Sequence, residues 1–442
     1  MSQPLYLVAG LGKTGHSIAG YLHRRNKPFV VYDTRSKVNN LEDFTSKFPG
    51  VEVFLGELPS EIYEQLAAII ASPGVALNEP FLQQASRLNI PVYGDIECLA
   101  RELKEPVIAI TGTNGKSTVT TLVGEMAKEA GLSVAVAGNI GSPVLDLLDD
   151  DKHYDLWVLE LSSFQLELTH SLKPIAATIL NISPDHLDRH HSLAAYIGAK
   201  QRIYNNAGFI LYNREDQQTE PATTLLSTSF GLDNAEGQWG ILENNGIIYL
   251  AEANEPLLPI ERLRLKGKHN WQNALAACAL AKAAGINRQA MVKVLETFSG
   301  LPHRCHWLKN LDGVDWINDS KGTNIGAAIS AISGIGGSMQ GKIVLIAGGI
   351  GKGADFTELR KPVAEYVRSV VLIGEDADKI EDALAEVVPV LRAASLDNAV
   401  KLAKAQAKPG DVVLLSPACA SFDMFRDFNH RGDSFAHLVG NL

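Results

Sequence analysis

The sequence predicts an α/β protein built from three strand–helix units. In three segments an apolar strand runs directly into a glycine-rich loop, and a helix-forming stretch follows. We predict the strands at 5–9, 106–110 and 342–347, and two of the helices at 117–130 and 357–368. A strand, a glycine turn and a helix in that order open a βαβ unit. The three segments differ in sequence, so they are separate units and not an array of repeats.

Length and composition agree with several globular domains. The 442 residues are too many for one typical domain and suit two to four. With 46% hydrophobic and 20% charged residues, the chain is neither disordered nor fibrous. No uninterrupted apolar run reaches the roughly 18 residues of a membrane span. The first apolar run lacks the basic flank of a signal peptide. We therefore expect a cytoplasmic protein with no membrane span.

Charge and cysteine spacing exclude further classes. The formal net charge is −10, which argues against a general nucleic-acid-binding surface. The four cysteines, Cys98, Cys278, Cys305 and Cys419, are far apart and form no CxxC pair. This spacing is not typical of a zinc site, and a disulfide framework is not expected in a chain of this size. We expect buried, unreactive thiols.

Breaks in the pattern predict the domain boundaries. A linker and short helix are predicted at 94–104, and the pattern breaks again near 300–303. Residues 205–259 hold short strands with a turn at Asn244-Asn-Gly246, which predicts an antiparallel addition to the middle domain. The polar cluster Lys266–Asn270 precedes an alanine-rich helix. The predicted domains are 1–95, 96–300 and 301–442.

The second glycine loop, Gly112-Thr-Asn-Gly-Lys-Ser-Thr118, is the strongest local signal. Its backbone N–H groups and the following helix can bind phosphate oxygens. Lys116 can reach the terminal phosphates and the Ser117 hydroxyl can bind Mg²⁺, which predicts an ATP site. The strict P-loop pattern wants a glycine at position 110, which is an isoleucine here. The alternative is a tight turn with a surface lysine.

Three further polar positions follow apolar strands or lie on a helix. Glu160 ends the run 156–159, where a neighbouring P-loop would need a Mg²⁺ ligand. The stretch 183–191 is rich in acids and histidines, and His186 lies nearest the end of the strand predicted at 176–182. Lys200 lies on a predicted helix. The alternatives are a solvated polar loop and a solvated helical lysine.

The first glycine loop, Gly10–Gly15, fits GxGxxG, and Asp33 ends the next strand. Together they match the dinucleotide-binding fingerprint. Alone this predicts an NAD-dependent oxidoreductase, although the acid could serve another nucleotide.

The third unit carries polar or glycine-rich stretches beside apolar strands, at 303–304, 319–324, 351–353 and 416–422. Loops at the carboxyl ends of such strands are where α/β proteins bind ligands. The alternative is that Asp319 and Ser320 only cap a helix.

The motifs together resemble the Mur ligases, ATP-dependent amide-forming ligases of peptidoglycan synthesis. The resemblance covers essentially the whole chain. It rests, in chain order, on Gly112-Thr-Asn-Gly-Lys-Ser117, Glu160-Leu-Ser-Ser-Phe-Gln165, Asn181-Ile-Ser-Pro-Asp-His186, Lys268-His-Asn270, His303-Arg304 and Asp319-Ser-Lys321. Within the family it points to the member that adds D-glutamate, through Asp33-Thr-Arg35, Ser72-Pro-Gly74, Gly351-Lys352 and Leu415–Asp423. The Asp-Asn-Pro motif of the diaminopimelate- or lysine-adding relatives is absent.

The resemblance implies a Rossmann-like N-terminal domain that binds the UDP-substrate, a P-loop ATPase-like central domain and a Rossmann-like C-terminal domain that binds the amino acid. It implies that ATP activates UDP-N-acetylmuramoyl-L-alanine as an acyl phosphate, which D-glutamate attacks, in peptidoglycan precursor synthesis. It further implies two Mg²⁺ sites and an N6-carboxylated Lys200. We also expect a monomer, and from the charge balance no nucleic-acid partner.

The resemblance also implies the site residues. The catalytic residues would be Lys116, His186 and Lys200. The metal ligands would be Ser117, Glu160, His186 and Lys200. ATP would contact Gly112, Thr113, Asn114, Gly115, Lys116, Ser117, Thr118, Asn270, Asn273, Arg304, Asp319 and Lys321. The UDP-substrate would contact Gly15, Asp33, Thr34, Arg35, Ser72, Gly74 and Asn139. D-Glutamate would contact Thr323, Lys352, Ser421 and Phe428.

One position departs from the expected pattern: Lys13 stands in the first glycine loop where an apolar residue is expected. It would either contact phosphate or be solvated. Three other functions stay open: a relative adding another amino acid, the NAD-dependent oxidoreductase and a non-catalytic nucleotide-binding regulator.

Overall fold

The computed structural model describes residues 4–38, 41–222, 226–234, 236–265, 267–337 and 339–442, without the side chain of Asp188. Lys266, part of the predicted polar cluster, lies outside these residues. The strands are β1 Leu5–Ala9, β2 Phe29–Asp33, β3 Val53–Leu55, β4 Leu66–Ala71, β5 Val92–Tyr93, β6 Val107–Thr111, β7 Val134–Gly138, β8 Leu156–Glu160, β9 Ala176–Ile179, β10 Ile210–Asn213, β11 Ser227–Asn234, β12 Trp239–Asn244, β13 Ile247–Glu252, β14 Glu255–Pro259, β15 His306–Leu311, β16 Val314–Asn318, β17 Ile343–Gly348, β18 Val367–Ile373, β19 Val390–Arg392 and β20 Val412–Leu415.

The α-helices are α1 Lys13–Arg24, α2 Leu41–Lys47, α3 Pro80–Arg87, α4 Asp95–Glu102, α5 Lys116–Glu129, α6 Val144–Leu148, α7 Ser163–Glu167, α8 Leu187–His190, α9 Leu193–Gln201, α10 Lys268–Ala283, α11 Arg288–Thr297, α12 Ile325–Gly336, α13 Arg360–Tyr366, α14 Ala377–Leu384, α15 Leu396–Gln406 and α16 Phe428–Gly440. In the described part of the chain, no helix is long and apolar enough to cross a membrane.

The described residues divide into two compact units. The first comprises Met1–Ile182, His186–Phe230 and Ala276–Met291, and the second Ser183–Asp185, Gly231–Leu275 and Val292–Leu442, apart from the gaps given above. The predicted domain bounds 1–95, 96–300 and 301–442 stay predictions.

Two parallel sheets form the first unit. One has the order β3-β2-β1-β4-β5. The other runs β11-β10-β9-β6-β8-β7. Their strands are short apolar runs because helices cover both faces of a parallel sheet. In the first sheet the order of the parallel strands reverses between β1 and β4. Such a switch point opens a crevice at the carboxyl ends of the strands.

Helix α1 of the first sheet docks on α6 of the second. Arg24 and Arg25 both pair with Asp149, at 2.5 and 3.0 Å. The Ser17 hydroxyl donates to Asp146 at 2.8 Å. Ion pairs near a protein surface typically contribute at most about 1 kcal/mol each. Apolar side chains of both segments, including Ile18 and Leu145, belong to one buried cluster that supplies the larger part.

The second unit contains an antiparallel meander and a third sheet. The meander is β12-β13-β14. Its predicted turn is confirmed: Asn244 pairs with Ile247, and Asn245 and Gly246 have φ of +52° and +76°, the left-handed pair that a two-residue hairpin requires. The third sheet has the order β15-β16-β20-β17-β18-β19, parallel except for β15.

Two predicted elements end earlier than expected. The helix predicted at 357–368 is a 3₁₀ turn, Phe356–Leu359, followed by α13, and Val367 already pairs with Ile343. The valine-rich segment after it fits a buried strand better than a helix. The strand predicted at 176–182 stops at Ile179, because Asn181 instead accepts bonds from the N–H groups of Thr113 and Asn114, both at 2.8 Å.

The four cysteines are free thiols. Cys98, Cys278 and Cys419 are buried. Burial raises the pKa of the Cys419 thiol to about 12 and that of Cys98 higher still. Because the thiolate is the reactive form, these two thiols are unreactive at neutral pH, as expected.

Candidate active site

A cleft of about 490 Å³ opens at the switch point of the first sheet. Its walls are the loops that follow β1, β2, β4 and β7, together with the side of α7. Six of the seven residues predicted for the UDP-substrate line it: Asp33, Thr34, Arg35, Ser72, Gly74 and Asn139.

Gly15, the seventh, is not among the lining residues. A Cβ atom at Gly15 would lie 1.8 Å from the carbonyl oxygen of Gly10. Glycine is therefore required here for α1 to start close against the end of β1. Gly10 itself has φ of +92°, so the loop needs glycine at both positions for backbone reasons.

Asp33 is the electrostatic centre of this cleft. It is 4% exposed and accepts two bonds from the Arg35 guanidinium, at 2.8 and 2.7 Å. The backbone N–H of Leu11 donates to the same carboxylate at 2.8 Å. Arg35 first, and then the backbone donors, outweigh burial and lower the pKa of Asp33 to about 2. The carboxylate is thus ionised and neutralised by Arg35 at physiological pH.

The second glycine loop opens α5 at Lys116, after Gly115 in the left-handed region. The Lys116 ammonium donates to the carbonyls of Gly112 and Thr113, each at 2.9 Å. Lys200, only 2% exposed, donates to the same Gly112 carbonyl at 2.8 Å and to the Thr111 hydroxyl at 3.2 Å. The structure therefore brings two predicted catalytic lysines to one carbonyl oxygen.

Glu160 lies beside this loop because β8 pairs with β6 and places it opposite Ile110. One carboxylate oxygen accepts a short bond from the Ser117 hydroxyl. The other accepts from the Asn139 amide at 2.9 Å. Asn139 also lines the first cleft, so its side chain lies between the two glycine loops. Hydroxyl and carboxylate oxygens are the ligands that Mg²⁺ prefers, so Ser117 and Glu160 fit that ion.

His186 precedes α8 with φ of +53°, and its ring lies 5.0 Å from that of Phe164 on α7. It is thus held against the helix that follows the Glu160 strand. Among the residues the structure describes, no three His, Cys, Asp or Glu side chains are clustered for a metal. The predicted metal set differs from such a cluster, because it draws on a serine and a lysine.

Other predicted ATP ligands lie in the second unit. Asn270 and Asn273 share one face of α10, joined at 3.1 Å. Asp319 accepts from the Ser416 hydroxyl at 2.7 Å and from the N–H of Cys305 at 3.1 Å. Burial raises the pKa of Asp319 to about 6. The alternative that Asp319 caps a helix is wrong, because Asn324 caps α12.

The predicted D-glutamate residues follow neighbouring strands of the third sheet. Thr323 comes after β16, Lys352 after β17 and Ser421 after β20, in the sheet order β16-β20-β17. A bridge between Ile350 and Ala420 joins two of these loops. Phe428 begins α16, and the Lys321 ammonium lies 3.9 Å from its ring centre.

Sequence reasoning assigned no role to three well-placed side chains. The Tyr196 hydroxyl lies 3.1 Å from that of Thr113, and Ser416 holds Asp319. Gln165 lines the cleft and completes a capping box with Ser162. The sequence could have indicated a role for Gln165, because this residue ends the motif Glu160–Gln165.

These features define the class of protein, and the chain belongs to the Mur ligase family. Residues 5–94 match the family description "Mur ligase MurD-like, N-terminal domain", residues 110–281 "Mur ligase middle domain" and residues 303–419 "Mur ligase, glutamate ligase domain".

Curated relatives are more specific. The chain is 66% identical over 447 residues to the UDP-N-acetylmuramoylalanine--D-glutamate ligase of Legionella pneumophila strain Paris, covering 100% of both chains. It is 49% identical over 439 residues to the protein of that name from Pseudomonas aeruginosa, covering 99% of this chain and 98% of that one.

Solved structures share the fold. A pseudomurein peptide ligase type C from Methanothermus fervidus has a TM-score of 0.63 at 19% identity, covering 99% of this chain and 100% of that one. The MurF ligase from Thermotoga maritima, in complex with ADP, has a TM-score of 0.62 at 17% identity, covering 99% and 95%.

Proposed function

We propose that this chain ligates D-glutamate to UDP-N-acetylmuramoyl-L-alanine at the expense of ATP, in peptidoglycan precursor synthesis. The supporting observation is the side chain of Asn139. It lines the cleft at the first glycine loop and donates to Glu160, which accepts the Ser117 hydroxyl of the second loop. A nucleotide-linked substrate in the cleft and ATP on the second loop would therefore meet beside Asn139. The 49–66% identical relatives carry the name of this reaction.

The chemistry proceeds in two steps. The alanine carboxylate of the substrate attacks the γ-phosphorus of ATP, and ADP leaves with the electrons of the broken P–O bond. The D-glutamate amine then attacks the acyl phosphate, loses a proton and expels inorganic phosphate. Activation is needed because a carboxylate by itself is a poor acylating agent.

The residues of the second loop serve the first step. The N–H groups of 112–118 and the start of α5 bind phosphate oxygens, and Lys116 neutralises the transferring group. Ser117 and Glu160 would hold Mg²⁺, which when bound offsets the phosphate charge. Asn114 and Thr118 belong to the same cradle. From the second unit, Asn270, Asn273, Arg304, Asp319 and Lys321 would complete the ATP contacts.

Lys200 is proposed to be N6-carboxylated and, with His186, to serve a second Mg²⁺. Its ammonium is buried and shares the Gly112 carbonyl with the Lys116 ammonium, so two like charges meet in a poorly solvated place. A carbamate would convert that repulsion into attraction and supply oxygens that a hard cation prefers.

The C-terminal residues would hold D-glutamate. Lys352 would pair with one carboxylate, while Thr323 and Ser421 would offer hydroxyl donors and Phe428 an apolar wall. The first-domain residues Asp33, Thr34 and Arg35 would face the uracil end of the UDP-substrate. We further propose a cytoplasmic monomer with the domain bounds 1–95, 96–300 and 301–442.

A phosphate-release assay tests this function. The chain is incubated with ATP, Mg²⁺, UDP-N-acetylmuramoyl-L-alanine and one amino acid from a panel. We expect release with D-glutamate and background release with L-glutamate, L-lysine, diaminopimelate or no amino acid. Release with another amino acid instead of D-glutamate would show a relative of different specificity.

The hydrogen bonds of Asp33 in the cleft argue against the function of an NAD-dependent oxidoreductase. In a dinucleotide site the acid after the second strand binds ribose hydroxyls. Here Arg35 and the Leu11 N–H already occupy both oxygens of Asp33. We expect no NADH-dependent change in absorbance with this chain.

A further inference from the structure

Lys13 departs from the pattern of the first glycine loop, where an apolar residue is expected. It begins α1, directly after Gly12, and its side chain lines the cleft. Its ammonium donates to the carbonyl oxygen of Gly141 at 3.1 Å. Gly141 follows β7, two residues after Asn139, so Lys13 reaches from the first glycine loop to the loop that carries Asn139.

The charges of the cleft distinguish Lys13 from Arg35. Four charged side chains line it: Lys13, Asp33, Arg35 and Glu79. Arg35 is neutralised by Asp33, whereas Lys13 bonds to a neutral backbone carbonyl. In the described part of the chain no carboxylate, Glu79 included, forms an ion pair with Lys13, so its ammonium is available to an anionic ligand. It also lies at the helix end where backbone N–H groups already favour anions.

The helix that Lys13 begins is docked along its length on the segment after β7. Ser17 and Arg24 of α1, and Arg25 directly after it, are bonded to Asp146 and Asp149. This docking holds the start of α1 against the loop at Gly141. The Cα atom of Lys13 is thus already placed beside the glycine loop, so a ligand there needs no movement of the backbone to meet the ammonium.

We propose that Lys13 binds the diphosphate of the UDP-substrate and clasps it between the first glycine loop and the loop at Gly141. An ammonium has three donors, so it can keep the Gly141 bond while it donates to phosphate oxygens. The clasp would add a charge-assisted contact to those of the backbone N–H groups. This inference rests on the proposed function, because it takes the first cleft as the site of the UDP-substrate.

Titration calorimetry with UDP and with uridine tests the role of Lys13. We compare the wild type with Lys13→Met, Lys13→Arg and the control Lys27→Met, which removes an exposed lysine after α1. Lys13→Met should weaken UDP binding about tenfold, the effect of one charge-assisted bond, and leave uridine binding unchanged. Lys13→Arg should keep most of the UDP affinity, and Lys27→Met should match the wild type.

Two results would overturn the proposal. Lys13→Met could bind UDP as tightly as the wild type, which would make the lysine a solvated residue. It could also lose UDP and uridine affinity equally, which would make the Gly141 bond purely structural. Either result in a chain that still ligates D-glutamate leaves the proposed function standing. A wild type that binds no UDP and releases no phosphate overturns the proposed function itself.

Discussion

The two glycine loops of the first unit have the same sequence pattern, but the carboxylate beside each loop has different hydrogen-bond partners. Each follows a buried parallel strand and opens a helix, and each has a carboxylate at the tip of a neighbouring strand. At the first loop Asp33 is neutralised by Arg35. At the second loop Glu160 accepts bonds from neutral groups, the Ser117 hydroxyl and the Asn139 amide. Under the proposed function, the first acid would organise a binding wall for the UDP-substrate, whereas the second would bind a cation.

Substitution of Lys116 should have the largest effect and tests whether the second loop is the ATP site. Lys116→Ala should lower turnover by about 10²–10³-fold, because it removes the charge opposite the transferring phosphoryl group. UDP binding at the first loop should stay normal. The control Lys128→Ala removes an exposed lysine of the same helix, paired with Glu125, and should retain activity. Near-normal turnover of Lys116→Ala would mean that the second loop is not the ATP site.

Variants of Lys200 test whether this lysine, which shares a carbonyl with Lys116, carries a carbamate. Lys200→Ala should lose most activity, and small carboxylic acids should restore part of it by occupying the vacated space. Lys200→Arg should also lose most activity, because a guanidinium keeps its positive charge and cannot replace a carbamate. Circular dichroism checks that both variants fold, and intact mass spectrometry looks for the carbamate on the wild type. A fully active Lys200→Arg enzyme would refute the carbamate.

Arg35 tests the wall of the first loop. Arg35→Ala should raise the KM for the UDP-substrate about tenfold and leave the KM for ATP near its wild-type value. The control is Arg87→Ala, which removes an exposed arginine of α3. An unchanged KM for the UDP-substrate with a raised KM for ATP would exchange the roles of the two loops.

The same variant has a pH signature. Asp33 has its pKa lowered from 3.8 to about 2, so its pairing stabilises the fold above pH 4 and is lost as the pH falls towards 2. The difference in melting temperature between wild type and Arg35→Ala should therefore shrink over that interval. A difference that is constant with pH would mean that the ion pair contributes nothing to stability.

Asp95 supplies the smallest effect and a contrast with Asp33. Both are 4% exposed, but burial raises the pKa of Asp95 to about 6, and polar neighbours that include Gln165 of the cleft wall offset this rise only in part. Because burial disfavours the ionised carboxylate in the folded state, the free energy of unfolding falls as the pH rises from about 4 through 6. Asp95→Asn should therefore stabilise the protein by about 1–3 kcal/mol at pH 8 and have no effect near pH 4.

Denaturant titrations at the two pH values measure the effect of Asp95→Asn. Asp43→Asn, at an exposed position of α2, is the control and should change neither value. Equal stabilisation of Asp95→Asn at both pH values would show that charge is not the cause.

The sequence by itself determined the class of fold and the local parts of the site. The strand–glycine–helix order fixes βαβ units, because a glycine with positive φ and a following helix are local requirements. It also placed Glu160 beside the second loop, since an acid at a strand end can lie only at that edge of a parallel sheet. The short elements at 176–182 and 357–368 were harder, because hydrogen bonds to Thr113 and Asn114 and pairing with β17 decided where they end.

Tertiary structure alone decided which polar groups meet. The spacing of residues in the chain does not predict that Arg35 forms an ion pair with Asp33. Nor does it predict that Lys116 and Lys200 share one carbonyl. The place of Asn139 between two loops is likewise not predicted. Lys13 was visible only as a departure from a pattern, and the docking of α1 on α6 gives it a partner 128 residues away. Such contacts depend on strand order and helix docking, which follow from how buried faces pack against each other and not from any local run of residues.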